Sequence, residues 1–231
     1  MAAHDTPARP MRRDAVRNNQ LVIEAAREVL AEFGTDASME LIASRAGVGI
    51  GTVYRRYPSK EALVDEIAGQ MLGSLVTAAG EELKRGDGTG LEGFLRILGR
   101  SMSAHRGYAD KLVNHAKVSA IEHLRNLIAE LLSQAQDFGL IGPEITLGDI
   151  MTLAWGLQGV VETGGAVVPD AWQRHLDICL AGLRSAQPPS ARPAVTREQL
   201  TTVNARKRHP GPGSATGGRI SGTEPIRPDL S

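Results

Sequence analysis

From Val22 to Leu183 the apolar residues recur at intervals of three and four, and no stretch alternates apolar with polar residues as a half-buried strand must. That pattern restricts the chain to helices. Val22, Ala26, Val29 and Phe33 form one stripe, with Gly34 placed as a C-terminal stop. Ser38 is placed to cap a short helix through Ala46, with Glu40 near its positive end. A second short helix covers 50–57 and stops at Pro58. Ser59 caps a long helix in which Leu63, Ile67, Met71 and Leu75 share a face, and the run Arg85-Gly-Asp-Gly-Thr-Gly90 breaks it. Further helices are expected at 91–105, 108–117, 119–138, 144–163 and 170–185, with Pro143 and Pro169 just ahead of the last two. The expected fold class is all-α, a small N-terminal bundle followed by a larger C-terminal one.

Composition narrows the function classes. Hydrophobic residues make up 42% of the 231 but aromatics only 3%, so the core must be built from Leu, Ile, Val, Ala and Met. The single cysteine, Cys179, excludes a disulfide framework and a cysteine-based zinc cluster and suits a reducing cytosol. No stretch has eighteen uncharged apolar residues, and MAAHDTPARPMRR lacks the apolar centre of a signal peptide. A soluble cytoplasmic protein without membrane contact is expected. The net charge of zero hides a division: residues 1–60 carry nine basic against seven acidic side chains (+2), residues 61–186 ten against sixteen (−6), and residues 187–231 seven against three (+4). A basic head on an acidic body leaves room for a polyanion at one end. The ends themselves, 1–16 and 187–231, are expected to be a flexible basic arm and a disordered tail, the latter from PPSARP, HPGPGSATGG and EPIRP.

The informative segment runs from Ser38 to Val64. Two short helices crossing steeply over a three- or four-residue turn need a small residue at their contact, supplied by Ala43, and a left-handed residue in the turn, supplied by Gly47. Ile42, Ala46, Val48 and Val53 are apolar where the helices would seal. Thr52, Tyr54, Arg55, Arg56 and Lys60 are left facing outward. An ordinary helical hairpin with solvated arginines satisfies the same spacing.

The full string is more specific. Ala46-Gly47-Val48, Gly51-Thr52-Val53-Tyr54 and Tyr57-Pro58-Ser59-Lys60-Glu61, preceded by a first helix ending Glu32-Phe33-Gly34, resemble the N-terminal DNA-binding domain of the TetR family of transcriptional regulators. Departures are small: Tyr57 stands where Phe is commoner, Arg56 where His is frequent, and Ile50 where a polar or basic residue is frequent. The resemblance implies a three-helix helix-turn-helix domain over 17–64 and a ligand-binding and dimerisation domain over 65–186. It implies that helix 50–57 enters the major groove of double-stranded DNA, with a DNA-facing set of Ser38, Gly49, Gly51, Thr52, Tyr54, Arg55, Arg56 and Lys60. Arg55 suits bidentate reading of guanine. Gly51 permits close backbone approach, and Thr52 suits a phosphate or a thymine methyl. Tyr54, Arg56 and Lys60 suit phosphates, which set position rather than sequence. Arg9, Arg12, Arg13 and Arg17 fit either a minor-groove arm or a solvated basic tail.

The resemblance says nothing about which ligand the body takes. Segment 145–161 holds Ile145, Leu147, Ile150, Met151, Leu153, Leu157, Val160 and Val161, too wide an apolar arc for one buried stripe. Segment 172–183 adds Trp172, Leu176, Cys179, Leu180 and Leu183. A homodimer interface built from helices 144–163 and 170–185, with Gly156 and Gly159 permitting close approach, would cover the second face; the alternative is that both helices lie inside the monomer core. A ligand pocket is expected from Phe94, Leu98, Met102, Trp155 and Gln158, with His105 or His115 as a polar anchor. The histidines His105, His115 and His123 lack the i, i+4 spacing of a helical metal site, so neither metal nor cofactor is expected. No nucleophile–base pair or carboxylate pair stands out, so no catalytic residue is assigned. With the resemblance, the sequence implies a ligand-responsive dimeric regulator, a repressor by preference. The alternative is a helical small-molecule-binding protein or enzyme without DNA function.

Overall fold

The computed structural model describes residues 10–34, 37–184 and 192–208. Among these residues there are ten helices and no strand: α1 (Pro10–Phe33), α2 (Met39–Ala46), α3 (Ile50–Arg56), α4 (Lys60–Leu83), α5 (Gly90–Ala104), α6 (Ala109–His115), α7 (Val118–Asp137), α8 (Leu147–Gly164), α9 (Ala171–Leu183) and α10 (Arg197–Arg208). No helix among the described residues is long and apolar enough to cross a membrane.

The helix ends follow local chemistry. Ser38 accepts from the Leu41 amide at 3.2 Å and Ser59 from the Ala62 amide at 3.2 Å, so each satisfies a first-turn donor that has no partner within its helix. Thr146 caps α8, and Asp149 closes a reciprocal capping box with it, which starts the helix at Leu147 rather than near Pro143.

The apolar side chains gather into two cores. The first joins Ile23, Val29 and Leu30 of α1, Ile42 and Ala43 of α2, Val53 of α3 and the first half of α4 (Leu63, Val64, Ile67, Ala68). It also includes Tyr108, Leu112 and Ala116, so α6 belongs to the packing of the N-terminal head. The second core unites Leu75 and Ala79 of α4 with Leu91, Phe94 and Leu95 of α5, Leu131 and Leu132 of α7, Ile150 and Leu157 of α8, and Trp172 and Leu176 of α9. α4 has 24 residues and is about 36 Å long, so it is common to both cores.

Two expectations about the chain ends are corrected. The segment 1–16 is not a flexible arm throughout: the backbone is helical from Pro10, a residue whose fixed φ and missing N–H suit a first helical turn. Residues 1–9, with Arg9, and the side chains of Arg12 and Arg13 lie outside the described residues. Likewise the segment 187–231 is not wholly a disordered tail, because α10 forms at Arg197–Arg208 and buries Leu200 completely. Thr196 and Gln199 cap it reciprocally, at 3.2 and 2.8 Å. The chain ahead of it lies so close to α8 that a Cβ at Gly148 would collide with the Val195 carbonyl. Residues 185–191 and 209–231 lie outside the described residues.

Candidate nucleic-acid interface and ligand cavity

The turn between α2 and α3 is made by Gly47 in the left-handed region, φ 66° and ψ 28°, with its amide donating to the Ala43 and Ser44 carbonyls. A side chain there would be strained, which is why glycine follows α2. α3 is a seven-residue helix that turns one side chain, Val53, wholly into the head core. Its other faces are open. Ile50 and Tyr54, one turn apart, are 37% and 44% exposed, Arg55 and Arg56 are exposed, and Gly49 and Gly51 carry nothing that would hold another molecule away.

The outward side chains are anchored to different degrees. Arg55 donates to the Thr52 hydroxyl at 2.9 Å, within its own helix, and is otherwise free to extend. Arg56 donates through Nε to Asn19 Oδ1 at 3.2 Å, and the Tyr57 hydroxyl donates to the same oxygen at 2.8 Å. One asparagine on α1 therefore fixes the end of α3. Lys60 donates to the Ala37 carbonyl at 3.3 Å, which places its ammonium between the start of α4 and the approach to α2. Arg45 is held by Glu32 at 2.8 Å and Glu28 at 3.5 Å; the Glu32 hydrogen bond is the main cause of its raised pKa. Its charge is therefore balanced inside the head. Ser38, exposed at the α2 cap, uses its oxygen as an acceptor. Thus the expected DNA-facing residues fall around one end of the head, but Arg56 and Lys60 are already tethered. The anchor Asn19 was missed by sequence reasoning, because a half-buried asparagine in a polar stretch of α1 carries no periodic signal.

In the body, α4 to α8 enclose a cavity of about 370 Å³, within the range of small-molecule sites. Phe94, Leu98, Met102, Trp155 and Gln158 all line it; His105 does not. His105 closes the end of α5, with Nδ1 2.6 Å from the Ser101 carbonyl oxygen and its ring edge-on to Tyr108. Burial pushes its pKa below the ordinary value. His115 lies instead on the surface, with Nδ1 2.8 Å from Asp65. The cavity also takes in Met71, Leu75, Val113 and Met151, and two charged residues absent from the expected set, Arg125 and Glu162. Glu162 accepts from the Gly107 amide at 3.1 and 3.2 Å and from Gln158 at 2.7 Å, tying α8 to the turn before α6. The signal for Arg125 was available, since a cation one turn from Ile121 and from Ile128 interrupts the apolar stripe of α7.

Two short helices, α2 and α3, joined through a left-handed glycine, with an open and cationic second helix, are the frame of a helix-turn-helix nucleic-acid-binding protein. Residues 22–67 match the bacterial regulatory proteins of the tetR family, and residues 87–185 match the C-terminal domain of SbtR-like transcriptional regulators. The crystal structure of a TetR transcription regulatory protein from Mycobacterium vanbaalenii is similar over 76% of this chain and 100% of that one, with 32% identity and a TM-score of 0.57. A TetR transcriptional regulator from Streptomyces coelicolor is similar over 73% and 99%, with 25% identity and a TM-score of 0.57. The HTH-type transcriptional regulator YhgD of Bacillus subtilis is 35% identical over 71 residues, 30% of this chain and 37% of that protein, so the likeness spans little more than a third of that relative. The chain belongs to the TetR family of bacterial transcriptional regulators. The alternative of a helical carrier or enzyme without DNA function gives way to that membership.

Proposed function

We propose that this regulator binds a palindromic DNA operator as a homodimer, α3 entering the major groove of each half-site, and that a small molecule in the cavity lowers its affinity for DNA. The observation that carries the DNA reading is α3 itself: Val53 locks it into the head while Tyr54 and Arg55 stand in the open and Thr52 is half-buried beside them. In this reading Arg55 leaves Thr52 to read guanine. Tyr54 and Ile50 supply apolar contact to bases or sugars. Arg56 and Lys60, already held by Asn19 and Ala37, meet phosphates with little ordering cost, and Ser38, Gly49 and Gly51 border the same backbone. A seven-residue helix reads too few bases alone, so two copies are required. Support for their contact comes from the outer faces of α8 and α9. Gly159 has open space beside it, Ile178 is 61% exposed, and Val167 and Val168 are exposed between the two helices.

The switch follows from helices with two memberships. Met71 and Leu72 of α4 line the cavity and belong to the head core, and α6 contributes Ala109 and Val113 to the cavity while Tyr108 and Leu112 pack in the head. A ligand that spreads α4 and α6 displaces the head. Effector and operator then oppose each other reciprocally, by about 1–3 kcal/mol. Such a protein acts in the cytoplasm as a ligand-released repressor.

The test is a titration of full-length protein on the duplex flanking its own gene and on a random duplex. Arg55→Ala is expected to weaken specific binding by about 1–3 kcal/mol and to leave random-sequence binding nearly intact. Equal losses on both duplexes would remove Arg55 from sequence reading. Compounds that raise the melting temperature through the cavity are expected to release the specific duplex, and a set of tight binders that leaves it bound would overturn the switch.

A further inference from the structure

Arg125 is the sole buried polar or charged side chain among the described residues, at 2% exposure. It lines the cavity whose other walls are mostly apolar. One terminal nitrogen meets Glu122, and the other donates to the Leu200 carbonyl of α10 at 3.3 Å. Its Nε–H has no partner among the described residues. An N–H kept from water without an acceptor is costly, so this donor is a standing demand for an oxygen. Nor is the positive charge fully balanced. Glu122 is shared with Arg197, 3.7 Å from its second oxygen, so two guanidinium groups draw on one carboxylate. The carboxylate that lines the cavity itself, Glu162, is occupied by the Gly107 amide and Gln158. The cavity thus combines a long apolar lining with one under-satisfied cationic group.

We propose that the cavity selects amphipathic anions, a flexible apolar body carrying one carboxylate that accepts from Arg125. The proposal rests on reading the cavity as the effector site, and it names the chemistry of the effector. α10 is part of the device: it lies beyond the matched stretch 87–185, and its Leu200 carbonyl and Arg197 set the orientation and charge balance of Arg125.

The test is calorimetric titration of the full-length protein with decanoate, 1-decanol and decylamine, three probes with the same apolar chain. Decanoate is expected to bind about tenfold or more tightly than decanol, as a charge-assisted hydrogen bond requires, and decylamine least well. Arg125→Met is expected to erase the preference for decanoate while decanol still binds. Glu122→Gln, a change at a half-exposed position, keeps the test decisive should Arg125→Met unfold, because removing the competing carboxylate is expected to strengthen decanoate binding. Equal affinity for decanoate and decanol, no decanoate binding, or weaker decanoate binding by Glu122→Gln would overturn the proposal. Adding decanoate to the DNA complex separates the two readings. Arg125-dependent binding that leaves DNA bound supports the anion site and overturns only the effector role.

Discussion

Asn19 shows how much of the geometry at the end of α3 rests on one amide. Its Oδ1 accepts from both Tyr57 and Arg56, so α1 holds the last turn of α3. Asn19→Ala leaves the buried Tyr57 hydroxyl without its acceptor, a cost of about 1–3 kcal/mol, and frees Arg56 to wander. Urea unfolding is expected to show that loss, and binding to specific and random duplexes is expected to weaken together. Unchanged unfolding and unchanged binding would mean the anchor is idle. His105 makes a second prediction at this scale. Burial lowers its pKa, the Ser101 carbonyl opposes that shift, and the Arg27 charge adds to it. The folded protein therefore binds fewer protons than the unfolded chain once pH falls below about 6.5, so the group favours unfolding under acid and is neutral above that pH. Stability is expected to fall between pH 7.5 and 5.5, and to fall less in His105→Gln. Equal falls in the two proteins would contradict it. The sequence reading had placed His105 in the cavity; position on a helix cannot tell a side chain that closes the helix end from one that turns inward.

At the scale of elements, α2, α3 and α4 were legible because each boundary is marked by a residue with a mechanical reason to be there: Ser38, Gly47, Pro58 and Ser59. α10 was not legible as a packed element. It is polar apart from Leu200, Val203 and Ala205, so no period betrays its docking, and the surrounding prolines and glycines suggest an unstructured chain. The overlooked signal was the capping pair Thr196 and Gln199. Removing residues 192–231 would uncover the site that receives Leu200 and take a backbone acceptor from Arg125. The expected cost is about 2–5 kcal/mol, of the size seen for an emptied leucine site, and it should appear as a fall of several degrees in melting temperature. A truncated protein as stable as the full chain would show that α10 contributes nothing. The cavity was half legible for a similar reason: apolar lining residues follow helical spacing, whereas Arg125 and Glu162 take their places only when α10 and the turn at Gly107 are brought to them.

For the whole molecule, the decisive feature is that the head core and the cavity share α4 and α6. Lys60 and Leu75 are fifteen residues apart on α4, so roughly 22 Å separates the head end from the cavity wall. In the proposed dimer, a small tilt at one end would change the spacing of the two α3 helices, which would have to match half-sites about 34–36 Å apart. The head was readable from one sequence because its turn chemistry is local, while the cavity of the body needed the packing of five helices. Both depend on the claim that α3 reads DNA in a two-fold pair. The most direct test is selection from a random duplex library with the full-length protein, with the enriched sequences read out after several rounds. The expected result is an inverted repeat, two half-sites about one helical turn or a multiple apart, whose enrichment is lost with Arg55→Ala. Enrichment of no sequence, or of a single site without two-fold symmetry, would contradict it.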